Sequence, residues 1–216
     1  MTDLTLKDLL SDCTPTSLEE TEQASLLNRS DTKYVFPASA LVDVLRRIGE
    51  TYRVLTIDGC RLFRYANMYF DTPDRLFYRQ HHNGKLNRCK IRSRQYVESG
   101  SSFFEVKLKL NGRRTHKERI PHTGSWSVIG TEASELIRTA TGMDATSLEP
   151  VLAVHYARMT FVHPVRCERV TIDTSLWFEN GKQRRLDGVI IAEVKQDRLS
   201  RESDFMKLMQ ERRLLP

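Results

Sequence analysis

Cationic side chains recur at every second position in one short segment of this sequence. They are Arg88, Lys90, Arg92 and Arg94. Because side chains alternate across a β-strand, a strand here would carry all of them on one face and Cys89 on the other. Like charges in a row repel one another unless they are solvated or face a polyanion or a row of carboxylates. The spacing therefore predicts either a solvated strand face or a surface that binds an anion.

The same alternation returns along the chain, with acidic residues among the cations. It is found in Arg29-x-Asp31-x-Lys33, in Glu105-x-Lys107-x-Lys109, in His116-x-Glu118 beside Lys117-x-Arg119, and in Glu193-x-Lys195. An ordinary half-buried sheet also alternates apolar and charged residues, and for any single strand that interpretation is favoured. Recurrence in several strands favours a closed barrel of about eight strands with its polar faces inside. In such a lumen Arg would grip phosphate oxygens bidentately and Lys would act as a compact charge, while the glutamates would suit Mg²⁺ or Mn²⁺.

The elements that must position these residues are mainly strands. Period-two patterning runs over residues 52–120, interrupted by the hairpin signals Asp58-Gly59, Asn83-Gly84, Ser99-Gly100 and Asn111-Gly112. Further strands are predicted over residues 151–162, 166–178 and 185–195, and helices over residues 1–25, 37–49, 131–141 and 202–213. No repeat or long linker divides the chain. The sequence predicts one α+β domain, residues 1–216, with a mainly antiparallel sheet.

Composition narrows the possible functions. The net charge is +6, from 34 Lys+Arg against 28 Asp+Glu, which favours an anionic partner. The longest apolar run, Val189-Ile190-Ile191-Ala192, is far short of a membrane span, and the first residues lack the features of a signal peptide. We therefore expect a cytoplasmic protein, with a membrane-protein partner left open. The phosphate-binding Gly-x-x-x-x-Gly-Lys-Ser/Thr loop is absent from the sequence, which excludes a P-loop nucleotidase.

These patterns sit in motifs that resemble the VTC domain, the polyphosphate polymerase branch of the triphosphate tunnel metalloenzymes, within the CYTH-like superfamily. The motifs lie at residues 27–34, 69–73, 78–84, 90–96, 104–107, 155–158 and 191–195. They follow one another in order over about residues 26–213 and are most similar to bacterial VTC domains. The resemblance implies an antiparallel barrel tunnel that binds triphosphate and a divalent metal. It also implies transfer of the terminal phosphate of ATP onto a growing polyphosphate chain.

The resemblance assigns roles to individual residues. The expected catalytic phosphate ligands are Lys33, Arg92, Arg94, Lys107 and Arg158. Further substrate-binding cations are Arg29, Lys90, Lys109, Lys117, Arg119 and Lys195. Glu193 would hold Mn²⁺ or Mg²⁺, with Glu105 as a second carboxylate. ATP or triphosphate and inorganic polyphosphate are the partners implied.

Two departures from the family pattern affect these expectations. VTC domains usually continue past the last helix into a closing Ser-Lys-Tyr segment, which would supply one more cation, and this sequence ends at Pro216 without it. Simpler tunnel enzymes carry Glu-x-Glu-x-Lys at the first strand, where this chain has Arg29-x-Asp31-x-Lys33. An acidic metal pair is therefore not expected there.

Other functions remain open at this point. The same fold could hydrolyse triphosphate or polyphosphate, or could serve as a non-catalytic sensor of polyphosphate, inositol polyphosphates or a nucleotide. Single-stranded nucleic-acid binding is disfavoured, since such surfaces combine cations with aromatics and the Arg92–Arg94 row has no aromatic on its own face within the segment.

Overall fold

The computed structural model describes residues 3–23, 30–110, 114–197, 200 and 202–216. These residues form six α-helices, which are α1 Asp3–Ser11, α2 Leu18–Gln23, α3 Leu41–Gly49, α4 Leu76–His82, α5 Thr131–Thr141 and α6 Asp204–Glu211. They also form eleven strands, which are β1 Pro15–Thr16, β2 Ser30–Pro37, β3 Arg53–Leu55, β4 Phe63–Asp71, β5 Arg88–Tyr96, β6 Ser102–Leu110, β7 Arg114–Pro121, β8 Glu149–Val162, β9 Glu168–Asn180, β10 Lys182–Arg185 and β11 Val189–Gln196. None of the helices in these ranges combines the length and the apolar character that crossing a bilayer requires.

Among the described residues the pairs β2–β11, β9–β11, β3–β8, β4–β5, β5–β6 and β6–β7 are antiparallel, and the short β1–β3 pair is parallel. The series of hydrogen-bonded neighbours runs β2, β11, β9, β8, β4, β5, β6 and β7. Among the described strands this series has β2 and β7 at its ends and is not closed. The predicted α+β fold with a mainly antiparallel sheet is confirmed. The closed eight-stranded barrel is not observed in these pairings.

The residues group into two compact units. Unit 1 comprises Met1–Phe63, Tyr156–Leu176 and Arg185–Pro216. Unit 2 comprises Arg64–His155 and Trp177–Arg184. Each unit has a hydrophobic core of its own, so each can hold its site residues in place independently.

The core of unit 1 lies between one sheet face and the helices α1, α3 and α6. On α3 the buried residues Leu41, Val44, Leu45 and Ile48 recur at three- and four-residue spacing, which gives one apolar stripe. The helix ends at Gly49, where a Cβ would lie 2.8 Å from the Sγ of Cys13. The close approach of the two segments therefore requires glycine at this position.

The core of unit 2 lies under α4 and α5. Alternate residues of β5 and β6, among them Ile91, Phe104 and Val106, are almost fully buried against Leu136 and Ile137 of α5. Because the strands alternate, burying these residues turns their sequence neighbours to the opposite face. The packing of this core thus determines which side chains form the polar face described below.

The structure differs from the sequence analysis between β4 and β5, where the period-two pattern predicts strand and Asn83-Gly84 a hairpin. Residues Leu76–His82 form the helix α4, and Asn83 ends it. The buried carboxylate of Asp71 accepts hydrogen bonds from the backbone N–H groups of Phe77, at 2.8 Å, and Tyr78, at 2.9 Å. These groups would otherwise be unpaired at the helix start, so Asp71 stabilises helix over strand here.

Candidate phosphate-binding site

The polar face of unit 2 gathers most of the cations that the sequence analysis singled out. We call this set the cationic face, and it consists of Lys90, Arg92 and Arg94 on β5, Lys107 and Lys109 on β6, and Lys117 and Arg119 on β7, together with Glu105 on β6. The register places Lys90 opposite Lys107 and Lys107 opposite Lys117. Residues directly opposite one another share a face, so the alternation predicted from the sequence brings these side chains together.

Glu105 is the acidic centre of the cationic face. The register places it between Arg92 and Arg119, and it is 2% exposed. Its Oε2 accepts hydrogen bonds from Arg92, with Nε at 2.6 Å, and its Oε1 accepts one from Lys117 Nζ at 2.5 Å. Burial by itself would raise the pKa of Glu105, but Arg92, Arg94 and Lys117 lower it to about 2. The carboxylate is therefore ionised at neutral pH and holds two of the predicted ligands in position.

Strand β4 supplies polar partners that the sequence analysis did not identify. Arg92 donates to the Tyr69 hydroxyl at 3.1 Å, and Arg94 Nε donates to the Asn67 Oδ1 at 2.8 Å. Asn67 is fixed in turn by its donation to the Val154 carbonyl at 3.0 Å. Burial by itself would raise the pKa of Tyr69, but Arg92, Lys90 and Arg94 hold it below its ordinary value. The three cations around this phenol make the local potential positive, which favours anions.

Aromatic residues lie on the cationic face as well, contrary to what the single segment 88–94 suggests. We call Tyr65 of β4, Tyr96 of β5 and Phe103 of β6 the aromatic group. By the alternation of their strands they lie on the same side of the sheet as the cations. Their rings pack on one another, with centroids 5.0 Å apart for Tyr65–Tyr96 and 5.9 Å apart for Tyr96–Phe103. Arg94 stacks over Tyr65 and Arg119 over Phe103. The group therefore orients guanidinium groups at one end of the face.

Unit 1 contains a second set of predicted site residues, around Glu193 on β11. The register places Glu193 opposite Lys33 of β2 and opposite Thr171 of β9. Lys195 forms an ion pair with Glu193, while the Lys33 Nζ lies 3.8 Å from Glu193 Oε1 and its side chain is 67% exposed. The hydroxyl of Thr171 is buried and has no hydrogen-bond partner among the described residues. Glu193 thus forms a close ion pair with Lys195 and a longer one with Lys33. The Thr171 hydroxyl oxygen, which lies opposite it in the register, could be a metal ligand.

Arg158 of β8 is also in unit 1, and it is engaged by an acidic partner. Its Nε and Nη2 each donate to Asp173 at 2.6 Å, which is a bidentate pair. The guanidinium also lies over the Tyr156 ring, with 4.9 Å to the centroid. Asp173 therefore acts as the salt-bridge partner of Arg158.

The sequence matches the model of the VTC domain family over residues 28–214. This chain belongs to the VTC domain family. The match includes residues of both units and every described site residue named above, and it extends to Arg29, which lies outside the described residues. The resemblance seen in the sequence motifs is thereby confirmed.

Several solved structures resemble this chain in fold while sharing little of its sequence. A proposed adenylate cyclase from Bacillus halodurans is 10% identical with a TM-score of 0.52, and the alignment covers 88% of this chain and 94% of that chain. A proposed adenylate cyclase from Vibrio parahaemolyticus is 15% identical over 87% of this chain and 85% of that chain, with a TM-score of 0.48. A proposed adenylyl cyclase from Hippeastrum, described as having a dominant triphosphatase activity, is 13% identical over 85% of this chain and 84% of that chain, with a TM-score of 0.47. The first likeness shows a shared fold, and the other two are too weak to carry an argument. No curated protein matches the sequence.

The two expected metal ligands, Glu105 and Glu193, differ in how well their surroundings suit a metal ion. Within the described ranges, no group of three or more His, Cys, Asp or Glu side chains could hold a metal ion by itself. Both oxygens of Glu105 already accept from cations in a nearly inaccessible position, and this does not fit a metal. Lys195 also pairs with Glu193, but Glu193 fits a metal better than Glu105 because its side chain is 20% exposed, the Lys33 Nζ lies 3.8 Å from its Oε1 and Thr171 lies opposite it in the register. Mg²⁺ is commonly bound by one or two carboxylates together with substrate phosphates, so a single Glu is a sufficient protein contribution.

Proposed function

We propose that this VTC domain binds the triphosphate of ATP on the cationic face and transfers the terminal phosphate to inorganic polyphosphate, in a reaction that needs Mn²⁺ or Mg²⁺. The observation that supports this best is the set of Arg and Lys side chains gathered on one sheet face around the ionised Glu105. A polyphosphate chain has the repeated negative charge that such a face would neutralise. Since ATP is made inside the cell, the proposal places the domain in the cytoplasm.

The reaction needs placement and charge neutralisation more than covalent chemistry from the protein. The bond between the γ-phosphorus and the bridging oxygen of ATP breaks, and a bond forms between that phosphorus and a terminal oxygen of polyphosphate. ADP leaves with the bridging oxygen. Arg92 and Arg94 can present forked donors to phosphate oxygens, and Lys107 a compact charge. Because Tyr69, Asn67 and Glu105 hold Arg92 and Arg94 beforehand, these two groups need little reorganisation when charge develops.

We assign Glu193 as the metal ligand. We assign Glu105 the role of holding Arg92 and Lys117 in position. Glu193 would hold Mn²⁺ or Mg²⁺, which would supply positive charge to neutralise the phosphates. Lys33 and Lys195 lie beside Glu193 and would bind phosphate oxygens next to the metal. Arg158 would bind phosphate only through the donors that the Asp173 pair leaves available. The closed tunnel that the family resemblance implies stays a prediction.

The test is incubation of the purified chain with ATP and Mn²⁺, followed by gel separation and phosphorus NMR. Phosphoanhydride chains that grow as ADP appears are the expected result. Release of phosphate alone would replace the proposal with hydrolysis on the same face. Absence of turnover combined with tight binding of tripolyphosphate would replace it with a sensor. Glu50→Gln, which alters an exposed carboxylate of unit 1, serves as the matched control for Glu193→Gln in every assay.

A further inference from the structure

Unit 2 contains a cavity that the proposed reaction does not use. Its volume is about 490 Å³, within the range of roughly 300–1,000 Å³ that small-molecule sites occupy. The walls come from β4, α4, β5 and the start of β8, and they are mainly apolar, with Phe70, Phe77, Ile91, Val151 and Leu152 among them. Such a lining suits an uncharged, flat or compact group and is unsuited to a phosphate.

The cavity reaches the cationic face at two of its lining residues, while Phe70 and Ile91 line it from the opposite side of the sheet. Tyr69 and Lys90 line the cavity, and they also belong to the polar side of β4 and β5. Tyr69 lies opposite Arg92 in the register and accepts a hydrogen bond from it. A ligand with phosphates on the cationic face would therefore have its uncharged remainder next to this cavity.

A neutral histidine supplies polar recognition inside the cavity. The His81 Nε2 lies 3.1 Å from the Cys89 carbonyl oxygen, and a carbonyl can only accept, so Nε2 carries the proton. Burial and the nearby Lys90 lower the pKa of His81 to about 4, so the ring is neutral at physiological pH. Its Nδ1 is then an acceptor, which can pair with a donor such as an exocyclic amine.

From this arrangement we propose that the cavity binds the base and ribose of a nucleoside triphosphate whose phosphates lie on the cationic face. The inference rests on the proposed function and adds the nucleoside subsite to it. The aromatic group is a less suitable place for the base. Its rings pack against one another, and Arg94 and Arg119 already cover ring faces there. In the cavity the guanidinium of Arg92 lies over the Tyr69 ring, 5.8 Å from its centroid, but among the described contacts no cation lies over the rings of Phe70, Phe77 or Tyr78.

The experiment is calorimetric titration of ATP and of inorganic tripolyphosphate into the wild type and into Leu152→Trp, which fills the cavity. Losing base burial should weaken ATP binding about tenfold, since base stacking is worth about 1–3 kcal/mol and 1.4 kcal/mol is tenfold. Tripolyphosphate binding should change by less than about threefold, because the phosphate ligands are untouched. Leu186→Trp, an exposed position in unit 1, is the matched control and should change neither affinity.

The outcomes separate this inference from the proposed function. Equal weakening of both ligands, or of neither, would overturn the cavity assignment while leaving phosphate binding intact. Failure of the wild type to bind tripolyphosphate would overturn both. Tighter binding of dodecyl phosphate than of ATP, lost in Leu152→Trp, would assign the cavity to an acyl chain and overturn the nucleoside subsite.

Photolabelling of the wild type with 8-azido-ATP gives an answer that needs no variant to fold. Mass spectrometry should find the label on cavity residues such as Tyr78 or His81. Labelling of Tyr65, Tyr96 or Phe103 would place the base on the aromatic group and overturn the inference.

Discussion

Glu105 shows how much of the site depends on one side chain. Replacing it with Gln keeps the shape but removes the charge that holds Arg92 and Lys117. We expect the free energy of unfolding at pH 7 to fall by about 1–3 kcal/mol, which is typical for losing hydrogen bonds to a buried charged group. Both cationic partners are partly exposed, so water limits the loss. Urea denaturation measures this loss of stability. The control Glu135→Gln alters an exposed carboxylate and should change the free energy of unfolding by about zero.

The same variant has a defined pH dependence. The pKa of Glu105 is about 2 in the folded protein, below the ordinary value of about 4.3 for a glutamate. Its stabilisation is therefore present above about pH 4.3 and is lost as the pH falls towards 2. The stability difference between wild type and Glu105→Gln should shrink from pH 5 to pH 2.5. A constant difference over this range would contradict the ion-pair account.

For Glu193 we predict an effect on metal-dependent turnover rather than on the stability of the fold. In Glu193→Gln, turnover that depends on Mn²⁺ should fall by at least about a hundredfold, because metal ligands and their shells are typically worth that much. Tripolyphosphate binding without metal should change by less than about threefold, because the cationic face lies on other strands. Rates and calorimetric affinities measure the two effects. Equal loss of both would make Glu193 a structural residue, held by Lys33 and Lys195.

At the scale of single elements, Asp71 determines whether residues 76–82 are helical. Asp71→Ala should lower the free energy of unfolding by about 1–2 kcal/mol, as for the loss of a helix cap. The α4 helix should be lost before the rest of unit 2, because its first N–H groups lose their acceptor. Hydrogen exchange of the Phe77 and Tyr78 amides measures this directly. Unchanged protection of both amides would show that packing alone holds α4.

The cationic face on strands β5, β6 and β7 should bind tripolyphosphate, and a single substitution tests this. Lys107→Ala should weaken tripolyphosphate binding about tenfold, because it removes one charge-assisted contact worth about 1.5–3 kcal/mol. It lies opposite Lys90 and Lys117, so removing it also relieves repulsion and should not destabilise the fold. Lys182→Ala, an exposed residue of unit 2, is the control. Equal affinities for the two variants would show that the face does not bind the ligand.

The sequence predicted which residues of β5 and β6 share a face, because that follows from period two alone. It did not predict that Glu105 would lie between Arg92 and Arg119, because register depends on pairing between distant segments. Tyr69 and Asn67 were missed for the same reason. The α4 helix was missed because its capping acceptor, Asp71, lies several residues before it. Local periodicity is readable from sequence, whereas tertiary hydrogen bonds are not.

On the scale of the whole molecule, each unit has a separate core and a separate set of site residues. Hydrogen exchange with tripolyphosphate alone should therefore increase protection in β5, β6 and β7 and leave β2 and β11 nearly unchanged. At a hundred times its dissociation constant a ligand stabilises what it binds by about 2.7 kcal/mol, which slows local opening about a hundredfold. Adding Mn²⁺ should bring β11 into the protected set, because Glu193 lies there. Protection of β11 without metal, or none on β5–β7, would mean that the phosphate ligands and the metal ligand have been assigned to the wrong units.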